Sequence, residues 1–155
     1  MKFEIPEYGT FNIKNLVFDY NGTLAEDGFV KKENIRKLEE LSAKFDIYVV
    51  TADTYGTVEK MFDGSSVEVS IISRENGSKD KESLVESLGC KETIAVGNGF
   101  NDRAMLKAAA LGFCIAGPEG ASVKAIMNSD LVLCKIEDFF SMIDEPKRLV
   151  ATLRG

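Results

Sequence analysis

The chain reads as an α/β protein, a three-layer doubly wound parallel sheet without a large cap, and two observations carry that reading. Short apolar strand candidates such as Leu16-Val17-Phe18 alternate along the chain with amphipathic helical stretches of about ten residues. A strand with no polar face is a strand covered on both sides, as in the middle of a parallel sheet. The second observation is where the strand candidates stop: at Asp19, at Thr51, and at Asn98 followed by Asp102. In an open α/β sheet ligands bind at the C-terminal strand edge, so these polar groups are expected to converge there.

Taken in order, Phe3 to Ile5 and Thr10 to Ile13 around Pro6 and Gly9 predict a small hairpin on a sheet edge. Leu16 to Phe18 is the central strand, leaving through the turn Asp19-Tyr20-Asn21-Gly22-Thr23. Asn-Gly between apolar residues is by itself a hairpin signal, so this turn alone does not identify a site. Leu24 to Val30, with Asp27-Gly28, predicts a flap over the strand end. Ile35, Leu38 and Leu41 form one stripe of a helix from Lys32 to Lys44. Strands are expected at 45–50, 67–72, 92–96, 113–116 and 131–134. Helices are expected at 54–62, 78–88, 101–110 and 121–127, the second of them stopped by Gly89. Residues 137–153 read as mostly helical with a break near Pro146. The division expected is a single domain over 1–155, with the hairpin at 1–14, the core at 15–135 and a C-terminal helix at 136–155.

Composition narrows the chemistry. The chain has 155 residues, 45% of them apolar and 28% charged, values ordinary for a water-soluble fold with one core. The formal net charge is −6 with no basic cluster on a helix face, which argues against nucleic acid as a partner. No apolar stretch is long enough to cross a bilayer and no signal-peptide pattern opens the chain, so no membrane association and a cytoplasmic location are expected. Cys90, Cys114 and Cys134 are scattered and odd in number, and are expected as reduced thiols. There is no His. Acid-base and metal chemistry must therefore come from carboxylates, amides, hydroxyls and lysines, with any metal a hard cation bound through oxygen.

Four segments in this order, DYNGT from Asp19, Thr51-Ala52-Asp53, Ser78-Lys79-Asp80-Lys81 and GNGFNDRAML from Gly97, resemble the motifs of the haloacid dehalogenase (HAD) superfamily of aspartate-nucleophile phosphohydrolases. Within it they are similar to the phosphorylation domain of P-type ATPases, whose motifs read DKTGT, TGD, P-x-D-K and GDGxNDxxxL. The resemblance runs from Leu16 to about Gly117. It implies a Mg2+-dependent phosphohydrolase or phosphotransferase that forms an aspartyl phosphate on Asp19. Catalytic roles fall on Asp19, Asn21, Thr51 and Lys81, and phosphate binding on Asn21, Gly22, Thr51, Ala52 and Lys81. Mg2+ is expected on Asp19, Asn21 (through its backbone carbonyl), Asn98 and Asp102. The chemistry suits these types: a phosphoryl group in transfer needs positioning and cations more than covalent machinery, and a carboxylate can be the acceptor.

Each residue also has an ordinary structural role to weigh. Thr51 and Asp102 suit helix caps, and Lys81 lies among charged residues where a lysine is usually solvated, with Lys79 as the alternative if the register shifts. GNGFND fails as a dinucleotide fingerprint because Asp102 stands where the third Gly belongs. A phosphorylated receiver domain fits the DYNGT turn poorly.

Two departures from the phosphatase pattern each remove a carboxylate. Asn21 stands where such phosphatases carry a second Asp acting as acid and base, help worth about 100-fold to 10,000-fold, so turnover is expected to be slow. Asn98 stands where the main metal ligand is Asp. A catalytically attenuated protein that binds a phosphorylated ligand or a protein partner is the alternative expectation. The spans from Thr23 to Thr51 and from Thr51 to Lys81 are too short for a nucleotide-binding domain or a large cap. An ion pump is excluded, and the site is expected to be open, so that either a bulky substrate or a second copy in a homo-oligomer covers it. Asn21 and Asn98 both precede Gly, a context that favours deamidation to Asp.

Overall fold

A six-stranded, all-parallel sheet is the middle layer of the computed structural model of the chain, which describes residues 1–53, 56–73 and 75–155. The strands are β3 (Asn15–Asp19), β6 (Asp46–Thr51), β7 (Val67–Ile71), β8 (Thr93–Gly97), β9 (Leu111–Ile115) and β10 (Leu131–Leu133), and β1 (Lys2–Ile5) pairs only with β2 (Gly9–Asn12). The spatial order β10-β9-β8-β3-β6-β7 puts β3 at the centre. The chain winds outward from β3 through β6 to β7, then returns to β8 on the other flank. The rim of β3 is therefore the switch point where the two halves diverge and a crevice opens.

The two faces follow from the two-residue period of a strand. Leu16 and Phe18 enter a core with Leu38, Phe113 and Phe139, built against α1 (Lys32–Ser42), α6 (Ile136–Asp144) and α7 (Pro146–Leu153). The Phe139 ring stands edge-on to Phe18 and Phe113, with centroids 5.4 and 5.0 Å away. Val17 points the other way, to Val85, Met105 and Leu106 of α3 (Gly77–Leu88) and α4 (Arg103–Ala108). Asp19 shares the parity of Val17. Its side chain therefore leaves the sheet on the α3 and α4 face.

The expected elements are found with shifted ends. The flap is the pair β4 (Ala25–Glu26) and β5 (Phe29–Val30), and the short helices are α2 (Thr57–Met61) and α5 (Val123–Ile126). The start expected for α2 at Thr54 lies outside the described residues. β9 begins at Leu111 because Leu111 and Gly112 pair with Ile94 and Ala95. The expectation of a hairpin on the edge of the sheet is corrected: β1 and β2 form a separate two-stranded sheet beneath the N-terminal ends of the central strands. Lys14 explains this, since its N–H donates to Glu92 and its carbonyl accepts from the Asp46 N–H. The chain is thus inserted directly between two strands, and the hairpin reaches no lateral edge. The C-terminal stretch is two helices, broken at Glu145-Pro146, where the extended residue before a proline cannot continue a helix.

Candidate active site

Three strand ends meet at the rim. Asp19 pairs in register with Val50, so Thr51 lies one step beyond it on one side. Phe18 pairs with Val96, which sets Gly97 and Asn98 at the same height on the other. Lys81 comes from α3, one turn before Val85, which anchors that helix face in the core. Asp102 closes a 3-10 turn at Phe100–Asp102 ahead of α4.

Lys81 joins these parts. Its Nζ donates to Asp19 Oδ1 and to Asp102 Oδ1, each at 2.5 Å. The side chain is only 1% exposed and Asp102 is fully buried, so Lys81, not Lys79, is the lysine drawn into the protein. The second oxygen of Asp102 accepts from the N–H groups of Asn98 and Gly99 at 2.9 and 2.7 Å. Asp102 thus folds the GNGFND loop around its own carboxylate. A Cβ at Gly97 would stand 2.6 Å from that side chain, so only Gly fits there.

The electrostatics are unbalanced. Two buried carboxylates share one ammonium, leaving the cluster one positive charge short. Burial pushes the Asp19 carboxyl up to about 7, the Asp102 charge adds to the rise, and Lys81 opposes it. Burial alone would pull the Lys81 ammonium down, but the two carboxylates overcome it and hold it above its ordinary value. A buried oxygen-lined site deficient in positive charge fits a hard divalent cation. Among the described residues no third His, Cys, Asp or Glu completes a metal cluster.

The remaining expected residues are placed as follows. Asn21 is exposed on the turn, and a cleft of about 360 Å3 opens beside it against Tyr20, Ala52 and Asp53. Gly22 holds φ +77°, and a Cβ there would lie 2.3 Å from Asn98 Nδ2, so both conformation and contact require Gly. Thr51 is buried, and its hydroxyl accepts from the Asp53 N–H at 3.1 Å. The first N–H groups of α2, those of Thr57 and Val58, donate instead to Asp53 Oδ2, ahead of the N-cap position at Gly56. Asn98 is committed at both ends of its amide: Nδ2 donates to the Gly120 carbonyl at 3.0 Å, and Oδ1 accepts from Thr23 Oγ1 at 3.3 Å.

Thr23 and the 117–122 loop were not singled out from sequence. Thr23 is buried and also supports Asp19, and the Ser122 N–H donates to the Asn98 carbonyl. The signal available was the last letter of DYNGT and the Gly-Pro-Glu-Gly turn after β9.

No family model matches the chain. Uncharacterized protein MJ0073 of Methanocaldococcus jannaschii is 47% identical over 64 residues, which are 41% of this chain and 69% of that protein. Among solved structures, the cobalt-bound deoxy-D-mannose-octulosonate 8-phosphate phosphatase of Haemophilus influenzae superimposes with a TM-score of 0.70 at 16% identity, over 85% of this chain and 87% of that one. The 3-deoxy-D-manno-octulosonate 8-phosphate phosphatase of Moraxella catarrhalis, in complex with magnesium, phosphate and the sugar, gives 0.65 at 16% identity over 92% and 94%. The Yersinia pestis enzyme of the same name gives 0.68 at 13% identity over 100% and 97%. These likenesses show that the chain shares the fold of these phosphatases. No helix among the described residues is long and apolar enough to cross a membrane.

Proposed function

The chain belongs to the family of the archaeal protein MJ0073 and carries the HAD fold, and from that premise we propose that it is a phosphohydrolase or phosphotransferase acting through Asp19. The observation that carries the proposal is the Lys81 ammonium held between Asp19 and Asp102 at the switch point of the sheet. In this reading Asp19 attacks phosphorus and the leaving oxygen departs, giving an aspartyl phosphate that water then hydrolyses. Lys81 neutralises the nucleophile and the transferring group as a point charge. Thr51 Oγ and the Ala52 N–H bind phosphoryl oxygens, joined by the turn at Asn21 and Gly22 where φ is positive. Asp19, Asp102 and the backbone carbonyl of Asn21 would hold a divalent ion, Mg2+ being the hard cation that suits them. When bound, it offsets the repulsion between carboxylate and phosphate. The two structural neighbours named with cobalt and with magnesium favour a divalent cofactor.

Turnover is slow in this reading, because the exposed Asn21 amide can neither protonate a leaving group nor activate water. The substrate is a phosphorylated small molecule in the cytoplasm, and a homo-oligomer covers the open rim. The measurement is hydrolysis of an aryl phosphate with Mg2+ by wild type and Asp19→Asn; the variant is expected to be inactive, and equal rates remove the proposal. Asn21→Asp is expected to raise the rate by about 100-fold or more, the lower end of general acid-base help. A second reading, binding without turnover, is favoured by the commitment of the Asn98 amide at both ends. It predicts phosphate-ester affinity with no phosphoenzyme in wild type or in Asn21→Asp.

A further inference from the structure

Beside Lys81 the rim carries a cluster that this chemistry leaves unused. A cavity of about 260 Å3 lies between the N-terminus of α3 and the 3-10 turn, with Ala52, Ser78, Phe100, Asn101 and Arg103 among its walls. The walls are sequence neighbours of the site: Ala52 follows Thr51, Ser78 lies one helical turn before Lys81, and Asn101 and Arg103 bracket Asp102. The cavity and the phosphoryl site therefore share their supports.

The Arg103 guanidinium lies 3.9 Å over the Phe100 ring and donates from Nη1 to the Phe100 carbonyl at 2.7 Å. Among the described residues no carboxylate pairs with it. Phe100 is 58% exposed, which burial does not explain and which a stacking platform for the guanidinium does. Among the described residues the Ser78 hydroxyl is shielded from solvent and has no hydrogen-bond partner, a costly state at the cavity wall. α3 begins without a side-chain cap among the described residues, and Asp80 lies in its first turn. Two carboxylates stand close: Glu75 is itself one of the cavity's walls, exposed to solvent, and Asp80 accepts from the Ser73 N–H.

We infer that this cavity is an anion subsite, and that the substrate is a phosphomonoester whose leaving group carries a second anionic group, a carboxylate or another phosphate. The inference rests on the reading of Asp19 only for where the first phosphate sits. A guanidinium flattened on a ring and tethered to a carbonyl is pre-organised, so little rotamer entropy remains to be lost when it takes an anion. A hydrogen bond to a charged group contributes about 1.5 to 3 kcal/mol, which corresponds to a preference of about tenfold to a hundredfold for the doubly anionic ester.

The test is calorimetric binding to Asp19→Asn protein in Mg2+, so that no ester is consumed. Ethyl phosphate is compared with 2-phosphoglycolate, and propyl phosphate with propane-1,3-diol bisphosphate. At least tenfold tighter binding of one charged member is expected, and the pair that shows it identifies carboxylate or phosphate. Arg103→Gln is expected to bring the ratio to about one, as the loss of the charged partner requires. Phe100→Leu, which keeps the charge and removes its platform, is expected to lower it severalfold. Equal affinities within both pairs, a preference that survives Arg103→Gln, or no binding by any ester overturns the subsite. A preference that depends on Arg103, found together with no turnover of any ester by wild type, instead overturns the Asp19 chemistry and leaves the subsite standing.

Discussion

Replacing Lys81 with Met removes the one cation that two buried carboxylates share, and the structure sets the size of the result. Asp19 and Asp102 are 7% and 0% exposed, and each gives one oxygen to Lys81 at 2.5 Å. Methionine fills nearly the same volume, so packing changes little and the loss is electrostatic. Breaking a buried pair from one side costs about 3–5 kcal/mol, a large part of the roughly 5–15 kcal/mol that holds a domain folded. The cost must depend on pH. The Asp19 carboxyl already titrates at about 7, above its ordinary 3.8, so the folded state holds that proton more tightly than the unfolded chain does. Such a group stabilises the fold below pH 3.8, and the contribution is lost as pH rises to about 7. Without Lys81 the Asp19 carboxyl loses the charge that opposes its rise, so the destabilisation should be smaller at pH 5 than at pH 8. Urea unfolding of metal-free wild type and Lys81→Met at both pH values measures this. Adding Asp19→Asn to Lys81→Met should recover about 1 kcal/mol or more at pH 8, within the usual range for coupled neighbours. A cost below about 1 kcal/mol at pH 8, or one independent of pH, would refute the claim that Lys81 neutralises both groups.

Asn98→Asp should destabilise the protein by about 1–2 kcal/mol, because a carboxylate cannot donate to the Gly120 carbonyl and would face it with like charge; thermal melts check this. Magnesium must compete with a proton for Asp19, so its apparent affinity should weaken by about tenfold per pH unit below about 7 and level off above, read by calorimetry. Deamidation should spare Asn21 and Asn98, since the amides that would attack are held: Gly22 N–H donates to Ala25 at 2.8 Å and Gly99 N–H to Asp102 at 2.7 Å. Peptide mapping of aged protein should find conversion first at Asn76, which is exposed and precedes Gly77.

The arrangement of the sheet was readable because burial on both faces leaves a plain mark. β3 has no exposed residue, and a strand written Leu-Val-Phe before an Asp has few places to go but the centre. Parity then does what motif matching cannot. Asp19 shares a face with Val17, Val17 packs with Val85, and Lys81 lies one turn before Val85, so the meeting of lysine and aspartate follows from strand and helix periods. What the sequence hid was contact between loops. Asn98 differs from Asp by one atom and suggested a weakened metal ligand, whereas its amide joins Thr23 and Gly120, residues 75 and 22 positions away. No period relates three loops, so nothing local announces such a contact. The hairpin failed for a similar reason: two short strands specify each other, while their place beneath the sheet depends on backbone bonds of Lys14 to two strands distant in the chain.

The same geometry decides which of the missing carboxylates matters more. Asn98 is held by hydrogen bonds that only an amide can make in both directions, so the loop from Gly117 to Ser122 is matched to it. Asn21 is exposed beside an open cleft, away from the loop contacts that hold Asn98. Asp at 98 is therefore expected to disturb the scaffold, and Asp at 21 to leave it intact. On the proposed chemistry, Asn21→Asp is therefore the exchange expected to raise the rate without cost to the scaffold, and Asn98→Asp the one expected to cost stability.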